Sequence, residues 1–149
     1  NPAIVVCDEP TSALDVSVQS QILNLLQDLR QERGLTYVVI SHDLAVIRHL
    51  ADRIMVMYLG RMVEDGPAAD ILDTPRHPYT QQLLDASLAS ATAAGSAETL
   101  PGEFPNPLAP PTGCSFHPRC PRAVTRCRLD APSMRPLAPQ RQAACHFAD

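Results

Sequence analysis

The sequence predicts an α/β fold with a largely parallel sheet, followed by a small irregular module rich in cysteine. Three observations predict it. Two short apolar runs, residues 3–7 and 36–40, are each followed by an amphipathic stretch. Uninterrupted apolar runs of this length read as strands buried on both faces, as in parallel sheets covered by helices. Four of the five cysteines fall in the last 36 residues, beyond a proline-dense stretch.

The first run, Ala3 to Cys7, ends in two adjacent acids, Asp8 and Glu9, and continues as Pro10-Thr11-Ser12-Ala13-Leu14-Asp15. Ligands of open α/β sheets bind beyond the C-terminal ends of the strands. Two carboxylates side by side there repel unless a cation or a proton intervenes. A magnesium ion and a water satisfy both: one acid holds the metal shell and the other orients or deprotonates the water. The same stretch also reads as a buried strand and a capped helix, with the acids merely at its rim. Asp15 is well placed to cap that helix.

From Val16 to Arg33 the apolar residues Val18, Ile22, Leu25, Leu26 and Leu29 fall at helical spacing, and Gly34 marks the stop. Thr36 to Ser41 is the second strand, and it ends at Ser41-His42-Asp43. His42 thus occupies the same topological position as Asp8 and Glu9, although a histidine before a helix also serves as a cap or surface residue. A helix follows with Leu44, Ile47 and Leu50 as its stripe. Residues 53–58 and 61–64 read as a hairpin turning at Gly60. Pro67 opens a short helix over 68–73, and a proline-bracketed turn, Thr74 to Thr80, leads into a helix from Gln81 to Ser90.

The order VVCDEPTSALD, with SHD one strand later, resembles the Walker B strand, D-loop and switch histidine of ABC-type ATPases. The resemblance implies a partial P-loop (ABC-type) nucleotide-binding domain that uses ATP and Mg²⁺. Asp8 would support Mg²⁺, Glu9 would polarise the hydrolytic water, and His42 would contact the γ-phosphate. Ser12 to Asp15 would cross to a partner subunit. All 12 basic residues are arginine. A P-loop needs Gly-Lys-Ser/Thr, so no P-loop lies in this sequence. No two of the six glycines are adjacent, which also leaves out the Gly-Gly of an ABC signature. The chain reads as a fragment from Walker B onward, and by itself it is expected to be catalytically inactive.

Domain organisation is expected as the C-terminal part of an ATPase domain over residues 1–88, a proline-rich linker over 89–113 and a four-cysteine module over 114–149. Net charge is −4 across 149 residues; residues 1–100 hold 6 Arg against 13 acids (−7) and residues 101–149 hold 6 Arg against 3 acids (+3). Neither a basic stripe nor stacking aromatics for nucleic acid appear. No apolar stretch reaches the length of a membrane helix.

Cys114, Cys120, Cys127 and Cys145 are spaced C-x5-C-x6-C-x17-C, whereas Cys7 lies inside the first strand as a small apolar residue. A tail this short and proline-rich needs a staple. Disulfides suit secreted proteins and fit an ATP-using chain poorly. Structural zinc usually shows a C-x2–4-C pair, which is absent here. An iron–sulfur cubane takes four thiolates at more separated corners. His117 and His146 beside the cysteines keep a mixed zinc site open.

PRHPYTQQLL, the proline-rich stretch, GCSFHPRCPRAVTRC and a terminal ACH together resemble the ATP-binding subunits of oligopeptide and dipeptide ABC importers. That resemblance implies a [4Fe–4S] cluster on Cys114, Cys120, Cys127 and Cys145, with Zn²⁺ as the alternative. It implies a second ABC ATPase subunit and two transmembrane permease subunits as partners, with an extracytoplasmic peptide-binding protein acting indirectly. The location it implies is peripheral, on the cytoplasmic face of the cell membrane. The function expected is to energise peptide import by ATP hydrolysis. Two alternatives stand beside it: a non-transport ABC ATPase acting on nucleic acid or ribosomes, and a truncated, non-enzymatic metal-binding docking module.

Overall fold

The computed structural model describes residues 2–91 and 105–148, and the chain divides into two compact units, residues 1–51 and 52–149. In the first unit, β1 (Ile4–Asp8) and β2 (Thr36–Ile40) pair in parallel, with Ile4 opposite Thr36 and Asp8 opposite Ile40. The crossover between them is α1 (Val16–Arg33). Its start is fixed by Asp15, whose carboxylate accepts from the backbone N–H groups of Ser17 (3.0 Å) and Val18 (2.9 Å). Its end is fixed by Gly34 at φ 62°, whose N–H returns to the Arg30 carbonyl. Arg30 and Arg33 in the last turn complement the negative end of the helix dipole. Asp43 caps α2 (Leu44–Leu50) in the same way, accepting from the N–H of Ala45 at 2.8 Å.

The second unit opens with the hairpin β3 (Arg53–Tyr58) and β4 (Arg61–Pro67). Its two turn residues, Leu59 and Gly60, both have positive φ, the backbone twist that suits a two-residue hairpin. Side chains alternate along β3, so Ile54, Val56 and Tyr58 are buried while Met55 and Met57 face water. Two helices follow, α3 (Ala68–Asp73) and α4 (Pro78–Ala91). The cysteine segment forms a 3-10 turn at His117–Arg119, the short helix α5 (Thr125–Leu129), β5 (Arg135–Ala138) and β6 (Arg141–Ala143). The sheet order is β3-β4-β6-β5, antiparallel throughout, with Glu64 opposite Ala143 and Asp65 opposite Gln142.

Three expectations are corrected here. Among the described residues the sheet is not largely parallel: the parallel part is the two-stranded pair β1–β2, and the larger sheet is antiparallel. The reason is connection length. Tight turns at 59–60 and 139–140 can join only antiparallel neighbours, since a parallel pair needs a crossover of a dozen or more residues. Nor are β1 and β2 covered on both faces. Ile4 is 60% exposed, Val6 65% and Ile40 52%, while Val5, Cys7, Tyr37 and Val39 on the opposite face are half-buried. The cysteine segment is also more regular than expected, since it contributes two strands to the sheet. Most of the expected linker, residues 92–104, lies outside the described residues.

A buried polar clamp and an aromatic cluster organise the second unit. Glu64, fully buried on β4, accepts from the N–H of Arg76 (2.8 Å) and of His77 (2.9 Å) and from Nη2 of Arg141 on β6 (3.0 Å). Arg141 also donates to the hydroxyl of Thr74 (3.1 Å) and to its carbonyl. Burying two charges is tolerable only when they are paired and hydrogen-bonded in this way. Phe116 packs edge-on to Tyr58 with centroids 5.1 Å apart, and it touches Tyr79 (5.4 Å) and His77 (5.8 Å). Aromatic pairs favour such tilted and edge-to-face arrangements.

Candidate functional site

Two constellations carry chemistry, one in each unit. In the first, parallel pairing brings the C-terminal ends of β1 and β2 together. The backbone N–H of Glu9 donates to the carbonyl of Ile40 (2.9 Å), extending the ladder by one residue past Asp8. Glu9 itself sits at φ 49°, the left-handed region that a side chain rarely adopts without a reason. Oε1 of Glu9 lies 2.8 Å from Nδ1 of His42, whereas Oε2 is buried with no hydrogen-bond partner among the described residues. The hydrogen bond to Glu9, and then the Glu9 charge, raise the His42 pKa above its ordinary 6.5. Asp8 is exposed at the last position of β1.

The turn after Glu9 is tightly specified. Both the N–H and the hydroxyl of Ser12 donate to the Glu9 carbonyl, at 3.3 Å and 3.1 Å. Asp15 accepts from the Ser17 hydroxyl (2.7 Å) as well as from the helix N-terminus, and that hydroxyl first, then the Val18 N–H, lower its pKa. Sequence reasoning missed Gln19, which donates to the Asp43 carboxylate at 3.0 Å and thereby ties α1 to the residue after His42. Asp8, Glu9 and His42 thus stand at adjoining strand ends, and Ser12 and Asp15 shape the turn leading away.

In the second unit the side chains of Cys114, Cys120, Cys127 and Cys145 line one cavity. His77, Phe116, His117, His146 and Phe147 complete much of its wall. Gly113, at φ 70°, sets the approach: a Cβ there would stand 2.4 Å from the Cys127 carbonyl oxygen, and the next N–H, of Cys114, donates to that oxygen at 2.8 Å. The five cysteines are all free thiols, and Cys7 belongs to the first unit. Burial pushes the Cys114 and Cys120 thiols up. Among the described residues, no group of three His, Cys, Asp or Glu side chains is set to hold a metal ion. His77 was legible in the sequence only as part of a turn; nothing local to it signals that its ring joins the four-cysteine cavity.

Residues 63–127 match the family described as "Oligopeptide/dipeptide transporter, C-terminal region". The chain is 54% identical over 149 residues to a di/tripeptide transport ATP-binding protein, DppF, of Pseudomonas aeruginosa (strain UCBPP-PA14), covering 99% of this chain and 46% of that protein. The chain is thus similar to ATP-binding proteins of oligopeptide and dipeptide transport. An oligopeptide transport ATP-binding protein, AppF, of Bacillus subtilis (strain 168) is 47% identical, covering 99% of this chain and 46% of that protein. The dipeptide transport ATP-binding protein DppF of Escherichia coli (strain K12) is 49% identical, covering 100% and 45%. The chain therefore spans about half the length of the curated relatives it matches. A solved dimeric ATP-binding cassette, in a post-hydrolysis state bound to ADP and Pi, overlaps with a TM-score of 0.43 at 37% identity, over 46% of this chain and 29% of that one. No helix among the described residues is long and apolar enough to cross a membrane.

Proposed function

We propose that the chain is the C-terminal portion of an ATP-hydrolysing subunit that energises peptide import across the cytoplasmic membrane. The observation that carries this reading is Glu9. It is held in a strained backbone conformation at a parallel strand end, one carboxylate oxygen is engaged by His42, and the other is buried without a partner. A carboxylate so held is suited to orient and deprotonate a water. His42 at the neighbouring strand end is placed to meet the phosphate that the water attacks, and its raised pKa favours the imidazolium that an anion prefers. Asp8, exposed beside them, is an oxygen donor of the kind Mg²⁺ takes. Mg²⁺, when bound, would neutralise phosphate charge, which is most of what phosphoryl-transfer sites supply. Ser12 and Asp15 fix the turn through which a second ATPase subunit would be contacted.

The names of the relatives support peptide import over an action on nucleic acid or ribosomes. Partners are then a second ABC ATPase subunit, two transmembrane permease subunits and, indirectly, an extracytoplasmic peptide-binding protein. The subunit would sit peripherally on the cytoplasmic face.

The four cysteines line one cavity and offer the four thiols that a [4Fe–4S] cluster takes, with Zn²⁺ as the alternative, although among the described residues no three ligating side chains are set to hold a metal ion. The cluster would supply a cationic iron core against which four crowded thiols can ionise.

Glu9→Gln in the complete subunit tests the main reading. Turnover should fall at least about 100-fold, the scale of a lost general base, while ATP binding persists and ATP-bound dimers accumulate. A variant that keeps most of its kcat overturns it.

A further inference from the structure

Helix α1 grips α2 at both ends through polar side chains. Nε2 of Gln19 donates to Oδ2 of Asp43, the N-cap of α2, at 3.0 Å. Further along the same side of α1, Nε2 of Gln27 donates to the carbonyl of His49 (2.9 Å) and Nη1 of Arg30 to that of Leu50 (3.5 Å). The last carbonyls of a helix have no partner within it, so Gln27 and Arg30 satisfy an ordinary structural need. Gln19 differs from them. Its acceptor is a carboxylate, a stronger partner than a carbonyl, and the residue that precedes this carboxylate is His42.

The His42 side chain is 77% exposed, so little packs on its ring. Its place is set by the Glu9 bond and by the backbone on either side. The Asp43 N–H donates to the Ser41 hydroxyl at 3.1 Å, which bends the chain around His42. Both carboxylate oxygens of Asp43 are then engaged: Oδ1 accepts from the Ala45 N–H at 2.8 Å and Oδ2 accepts from Gln19. The Gln19 hydrogen bond, against the burial that opposes it, lowers the Asp43 pKa and keeps the cap ionised. Gln19 is itself anchored, since its backbone N–H donates to the Asp15 carbonyl at 2.9 Å. One residue thus spans from the turn after Glu9 to the turn that carries His42.

We propose that Gln19 is a positioning residue for hydrolysis: its amide fixes Asp43, and through Asp43 the backbone of His42, so that the imidazole stays on Glu9. The proposal rests on the reading of Glu9 and His42 given above. Without the Gln19 amide, Oδ2 of Asp43 loses its side-chain donor, and the carboxylate can turn away from the start of α2. The Ser41-His42-Asp43 turn then loosens around an imidazole that has no packing to hold it. Hydrolysis is sensitive to such movement, because a misplacement of about 1 Å in a catalytic group can cost roughly 100-fold in rate. Binding of nucleotide is much less sensitive, since Gln19 touches no group assigned to the phosphates or the metal.

The test uses the complete subunit. Gln19→Leu, which removes the donor, should lower kcat by about 10- to 100-fold while KM for ATP stays near wild type. Gln19→Glu, of the same size but unable to donate, should lose at least as much. Gln19→Arg, which can still donate to Asp43, should recover most of the rate. Independently of turnover, ¹⁵N-histidine NMR of the nucleotide-free protein at fixed pH should show the Nδ1 signal of His42 displaced by its bond to Glu9. Gln19→Leu should lose that displacement and Gln19→Arg should regain it, which a loss of stability alone would not produce. An unchanged His42 signal in Gln19→Leu and Gln19→Glu overturns the proposal, as does a wild-type kcat in both. If Gln19→Leu fails to fold, Gln19→Glu against Gln19→Arg decides. A Glu9→Gln subunit that keeps its kcat would defeat the catalytic reading and the proposal with it. An inactive Glu9→Gln beside a fully active Gln19→Leu would defeat the proposal alone.

Discussion

Residues 1–51 and residues 52–149 solve the problem of placing chemical groups in opposite ways. The first unit buries little: Thr11, Leu23 and Val46 are its only buried residues among those described, and its two short strands leave one apolar face in water. Its polar groups are arranged by hydrogen bonds between residues near in sequence or at adjoining strand ends, and Glu9 is held in the left-handed region. The second unit buries an ion pair, an aromatic cluster and its four thiols' cavity, and joins segments more than sixty residues apart. The difference teaches that the strand-end groups are set by short-range hydrogen bonds, whereas the cavity is carried by a core that distant segments build together. Mutations should therefore act locally in the first unit and globally in the second.

The largest effect is expected at the clamp. Arg141→Met leaves Glu64 charged in the interior with only two backbone N–H partners, a loss of about 3–5 kcal/mol. Urea unfolding followed by tyrosine fluorescence, with Tyr58 and Tyr79 in this unit, should show it. Pairing the change with Glu64→Gln should restore much of the stability, because the unpaired charge is then gone. A fall below about 1 kcal/mol for Arg141→Met alone would break the contrast.

Gly113→Ala comes next. It forces a side chain into the left-handed region and against the carbonyls of Cys127 and Arg128, for roughly 2–4 kcal/mol. The same unfolding curve measures it, and cysteine accessibility to a thiol reagent should rise in parallel.

Asp15→Ala should cost about 1 kcal/mol, the scale of a lost N-cap. Amide hydrogen exchange should quicken in the first turn of α1 and leave residues 52–149 unchanged. Quickened exchange across the second unit would refute the local character of the first.

The smallest effect is a titration. Because Glu9 raises the folded-state pKa of His42, the ion pair contributes fully below the ordinary 6.5 and is lost as pH rises through the raised value. NMR titration of the His42 ring should therefore give a midpoint above 6.5 that returns toward 6.5 in Glu9→Gln.

These same two regions differ in how far they could be read beforehand. The helix from Val16 to Arg33, the strand pair and the hairpin were all legible, because Asp15, Gly34 and Gly60 are local signals that act on their immediate neighbours. The strand-end position of Asp8, Glu9 and His42 followed from topology. What was not legible is non-local. β5 and β6 are too short for a period to register, and Pro136 disguises β5. The Glu64–Arg141 pair spans 77 residues, and no local pattern announces such a partner. The extent of parallel pairing was overread for the same reason, since short turns decide strand direction and the apolar runs alone do not. That four cysteines share a cavity was readable from composition; that a histidine from the α3–α4 turn joins them was not.

The strand order β3-β4-β6-β5 has a consequence for synthesis. Chains leave the ribosome N-terminus first and domains fold as units. β6 is the last strand among the described residues, yet it lies inside the sheet, between β4 and β5. Until residue 143 has emerged, the β3–β4 hairpin has an open edge, and the carboxylate of Glu64 has no guanidinium to meet it. The segment that closes the sheet also brings Cys145, so the last of the four cavity-lining thiols reaches its place only after β6 has been made.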